Sequence, residues 1–141
     1  MIRLSVPAAV LGLIAALSFA ACGSSSDNAP TKAEYIKKAD AICTKGNQQI
    51  DAEAKKTFGK NQPTQAQLSA FDKKTVLPAL DQMLGDLRAL DRPKGDDAAI
   101  TAMYDSLDSA IQNGKKNGIT DATFKDANQK AIAYGLKVCG K

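Results

Sequence analysis

Apolar side chains recur at intervals of three and four residues along four stretches of this chain, and no stretch alternates with period two over a useful length. That spacing puts the apolar residues on one face of a helix and excludes a half-buried sheet. Thr31-Lys32-Ala33-Glu34 forms a capping box, in which a threonine oxygen takes an orphan amide and the glutamate reaches back. Ile36, Ala39, Cys43, Gly46, Ile50 and Phe58 then mark one helical face, which Gly59 to Pro63 ends. A second box, Thr64-Gln65-Ala66-Gln67, opens a stripe through Leu68, Phe71, Val76, Leu80, Met83 and Leu87. Pro78 lies inside it and predicts a kink near Thr75 to Pro78, or a split into two helices.

After the turn at residues 91–95, a third helix is expected from Asp96-Asp97, whose charges suit its positive end. Its stripe runs Ile100, Met103, Leu107, Ala110 and Ile111, with a stop over Gly114 to Gly118. A fourth helix is expected to be capped by Thr120 or Asp121. Its inward residues are Phe124, Ala127, Ala131, Ile132, Gly135, Val138 and Cys139. Four amphipathic helices with short connections predict an all-α, antiparallel up-down four-helix bundle over residues 31–141.

Cys43 and Cys139 both fall on these apolar stripes. In an up-down bundle the first and last helices are neighbours. Antiparallel packing brings the third turn of the first level with the last turn of the fourth. A Cys43–Cys139 disulfide is therefore expected, closing a loop that approaches 100 residues; two buried free thiols are the alternative.

The third cysteine stands at a seam. Arg3 gives a basic start, Leu4 to Ala21 is nearly all apolar, and Cys22 is followed by Gly23-Ser24-Ser25-Ser26. A basic start, an apolar centre and small residues before a cut describe an export signal. The run falls short of the roughly 20 apolar residues of a spanning helix and lacks a charged stop. Phe19-Ala20-Ala21-Cys22 resembles the lipobox of bacterial lipoproteins, with Phe19 where leucine is usual. The resemblance implies a signal peptide over 1–21 cut before Cys22, whose sulfur carries a diacylglyceryl group. It also implies a lipid anchor on the extracytoplasmic face of the cell membrane. An ordinary secreted protein cut beside Cys22 is the alternative. Residues 22–30 would then form the attachment point and a polar tether of at most about 26 Å between Gly23 and Pro30. The segments "YIKKADAICTKGN" and "AIAYGLKVCG" resemble small exported helical lipoproteins of high-GC Gram-positive bacteria, which carry one cysteine near each end of the domain. That likeness agrees with the fold and the bridge and implies no activity.

The chain has no histidine, which removes the commonest general base and metal ligand. Neither a nucleophile elbow nor a phosphate loop occurs. Asp96-Asp97 reads as a dipole complement, and Asp105 with Asp108 as a solvated face. The lysine pairs 37–38, 55–56, 73–74 and 115–116 read as solvated faces too. Tyr35, Tyr104 and Tyr134 are expected at the rim of the core rather than as a ligand cage. A net charge of +4 without tryptophan or a basic stripe argues against a nucleic-acid partner. No catalytic residue, cofactor or metal site is expected. The functional expectation is a non-catalytic binding or interaction module, anchored in membrane lipid and meeting an envelope protein or the cell wall. The alternative is a carrier of a small apolar ligand, held between helices opened by Pro78, Gly46 and Gly135.

Overall fold

The computed structural model describes residues 28–141, so the expected leader and Cys22 lie outside the described residues. Among the described residues the regular structure is all helical. Helix α1 spans Lys32–Phe58. Its capping box forms: the Glu34 amide donates to Thr31 Oγ1 at 3.2 Å and the Thr31 amide to Glu34 Oε2 at 2.8 Å. Thr64 and Gln67 repeat the pattern in front of α2, Gln65–Phe71.

Pro78 acts ahead of itself. The chain stays helical from α2 into α3, Leu77–Arg88, through a π-helical turn at Asp72–Val76. There the Leu77 amide donates to the Asp72 carbonyl, five residues back instead of four. A proline offers no amide and crowds the carbonyl four residues before it, so a wider turn accommodates it. The expected kink is thus a π-turn inside a continuous helical run.

Helix α4 spans Asp97–Asn117 and ends at Gly118, within the stop expected over Gly114 to Gly118. Helix α5, Lys125–Tyr134, is shorter than expected at both ends. At its start, Thr120 caps a tight turn instead: its amide donates to Thr123 Oγ1 at 2.8 Å. At its end, Gly135 adopts φ +114°, the left-handed region open to glycine. The Leu136 amide reaches the Ala131 carbonyl at 2.9 Å, and the Gly135 amide the Ile132 carbonyl at 3.0 Å. This is a Schellman stop, sealed by Leu136, which is buried. Ile132, expected to face inward, is exposed, because the helix turns its Ala127, Ala131 and Tyr134 face to the core.

Packing runs from α1 to α3, α3 to α4 and α4 to α5. Gly46 lets α1 approach α3: a Cβ there would stand 2.1 Å from Met83 Cε. The Cys43–Cys139 disulfide is present. Cys139 lies past α5, however, so the bridge joins α1 to a C-terminal tail, residues 135–141, rather than to the last helix. Asp40, one turn before Cys43, holds the same tail. Its carboxylate accepts from the amides of Lys137 at 3.0 Å and Val138 at 2.8 Å.

Substituting Gly135→Ala should test the stop. A Cβ at this φ is strained and would press Ile36 Cδ1 at 3.1 Å. Urea unfolding should show a loss of about 1–2 kcal/mol, more than the gain alanine brings at an ordinary helical position.

Candidate ligand cavity

The core is organised around three tyrosines. Tyr35, Tyr104 and Tyr134 are 0%, 2% and 7% exposed, so they sit within the core and not at its rim. Tyr104 donates its hydroxyl to the Leu87 carbonyl at 2.8 Å, which leaves its oxygen to accept from Tyr35. Tyr134 meets Tyr35 edge to face, with centroids 5.7 Å apart, and donates to Asp96 Oδ2 at 2.6 Å. Asp96 and Asp97 stand at the start of α4, as expected; Asp96 also accepts this hydroxyl, and Asp97 pairs with Arg92 at 3.5 Å. Lys32 lies 4.2 Å above the Tyr134 ring. Every polar atom of the tyrosine cluster thus has a partner, as a dry interior demands.

Below this cluster, between the helices and the tail, lies a cavity of about 310 Å³. That is roughly twice the ~150 Å³ of an apolar cavity that admits benzene. Helix α1 contributes Cys43, Asn47 and Ile50. The π-turn and α3 contribute Asp72, Val76, Leu80, Met83 and Leu87. Met103, Tyr104 and Leu107 come from α4, and Phe124, Ala127, Asn128 and Ala131 from around α5. The tail closes the last side with Leu136, Val138, Cys139 and Lys141, so the disulfide itself is part of the wall.

The walls are mainly apolar. Asn47 and Lys141 are exposed and Asp72 and Asn128 half-buried, so the polar groups mark the mouth. Asp72 stands out among them. Among the described residues its side chain has no hydrogen-bond or ion-pair partner, and burial pushes its carboxyl above the usual carboxylate range. It is set by the π-turn, a feature that recurs at functional sites.

The glycines expected to open such a space do not line it. Gly46 is filled by Met83, and Gly135 ends α5. The cavity comes instead from the π-turn and the docked tail. Asp72 and Asp40 were not among the expected site residues. Asp72 carried a signal, because it falls four residues from Leu68 and four from Val76 on the apolar stripe. Asp40 carried none, since its partners lie 97 to 99 residues away. The lysine pairs are exposed, and Asp108 pairs with Arg88 at 3.0 Å on the surface. Among the described residues no group of three or more cysteine, aspartate or glutamate side chains converges to hold a metal, and no helix is long and apolar enough to cross a membrane.

No protein-family model, curated protein or solved structure matches this chain.

Burial raises all three tyrosine hydroxyls above their ordinary value near 10; neighbouring Tyr35 adds to the effect at Tyr104, and Asp96 at Tyr134. The fold favours the neutral phenols, so their contribution is full below pH 10 and lost as pH rises. Absorbance titration near 295 nm should show no native midpoint around pH 10, and a midpoint there once the chain is unfolded in urea. A native midpoint near 10 for any tyrosine would contradict the cluster.

Proposed function

We propose that this chain is a non-catalytic carrier module that holds a small apolar ligand between its helices. In this reading a lipid on Cys22 anchors it at the extracytoplasmic face of the cell membrane. The helices run as an antiparallel up-and-down bundle, and the tether keeps the cavity within a few tens of ångströms of the bilayer. The observation that carries the reading is the apolar cavity of about 310 Å³, which lies at the lower end of the range for small-molecule sites. The space opens to solvent at its mouth, so its apolar wall faces water, which is unfavourable. A ligand covers that wall. Its mouth residues are few and polar, the pattern that orients a ligand in an otherwise apolar site.

The anchor rests on Phe19-Ala20-Ala21-Cys22 and on the pairing of the other two cysteines, which leaves Cys22 unpaired within the chain. Interaction with an envelope protein or the cell wall is the second role open to such a module. The cavity favours the carrier.

Two measurements test these statements. A neutral fluorophore such as N-phenyl-1-naphthylamine should bind the full chain saturably, one to one. Leu80→Trp, which fills the cavity, should abolish that binding while the helical circular dichroism is kept. Absence of saturable binding to the unaltered chain would remove the carrier reading. Intact mass of membrane-extracted protein should place the N-terminus at Cys22 with the added mass of acylated glycerol. An N-terminus at Cys22 without that mass would remove the anchor.

A further inference from the structure

Among the polar groups at the mouth, Asn47 and Lys141 project from exposed positions and are solvated without a ligand. Asn128 is a half-buried neutral amide that both donates and accepts. Asp72 differs from all three. It is half-buried, it acts only as an acceptor when ionised, and among the described residues no donor reaches it. Its sequence neighbours Lys73 and Lys74 are exposed and make no ion pair with it. The π-turn places it on the same side as Val76, so both line one cavity. A partly buried carboxylate without a donor is unfavourable, and the complement that relieves it is a cation or a strong hydrogen-bond donor.

From this geometry we infer that the cavity takes a cationic amphiphile, with its apolar body among Leu80, Met83, Met103 and Leu107 and a protonated amine on the Asp72 carboxylate. The inference rests on the carrier reading and adds the chemical class of the ligand. It runs against the chain's net charge of +4, which by itself favours anions. Non-specific attraction would therefore select the opposite ligand.

Displacement of N-phenyl-1-naphthylamine from the full chain by decylamine, decanol and decanoate, matched in length, provides the test. Decylamine should displace the probe at a concentration at least about 10-fold below either of the others, the scale of one hydrogen bond to a charged group. Asp72→Asn should erase that preference while the helical circular dichroism is kept. Probe binding with decanol or decanoate equal to or better than decylamine would overturn this inference alone. So would a preference that survives Asp72→Asn. Failure of the probe to bind at all would overturn the carrier reading together with it.

Discussion

The docking of the C-terminal tail onto α1 is the interaction on which the cavity depends. Helices α1, α3, α4 and α5 leave one side of the space open, and residues 136–141 close it. Two contacts one helical turn apart hold them there. The Cys43–Cys139 bridge fixes a point, and Asp40 fixes a direction by gathering consecutive amides. The bridge closes a loop between residues 96 apart, a constraint worth about 4–5 kcal/mol in the chain-entropy account. The carboxylate does a different job: it satisfies amides of an irregular segment that has no ladder of its own. The Schellman stop at Gly135 makes both possible, since a continuing helix would carry Cys139 along its own axis.

Stability and site chemistry pull apart at the π-turn. A wider turn forgoes the tighter packing of an α-helix, and it carries an acid toward an apolar space. Burial disfavours the charge on Asp72, so at neutral pH the carboxylate weakens the fold, and the penalty disappears as the group protonates in acid. The tyrosine cluster is the contrasting case. There, each buried hydroxyl is satisfied, and burial raises the phenols without cost below pH 10.

Much of the helical pattern was legible because it is local. Capping boxes at Thr31 and Thr64 act over three residues, and the apolar stripes of α1 and α4 are periodic over many turns. What escaped depends on non-local or competing effects. Gly135 fits a helical stripe by spacing, yet its freedom at positive φ ends α5 and frees the tail. Pro78 signalled a distortion, but not that the distortion would be a π-turn four residues earlier that aims Asp72. The pairing of Cys43 with Cys139 was readable from their shared apolar setting, although the element that carries Cys139 was not. The tyrosines looked amphipathic enough for a rim position. Their partners, Leu87 and Asp96, come from other segments and make full burial tolerable.

The distance along the chain between the two bridged cysteines has a consequence for biosynthesis. Cys43 emerges 96 residues before its partner. At synthesis rates of about 5–20 residues per second it waits roughly 5–20 s as a free thiol. During that interval the one other cysteine of this sequence already made is Cys22. Attachment of lipid there, as proposed, does more than anchor the protein: it takes away the wrong disulfide partner.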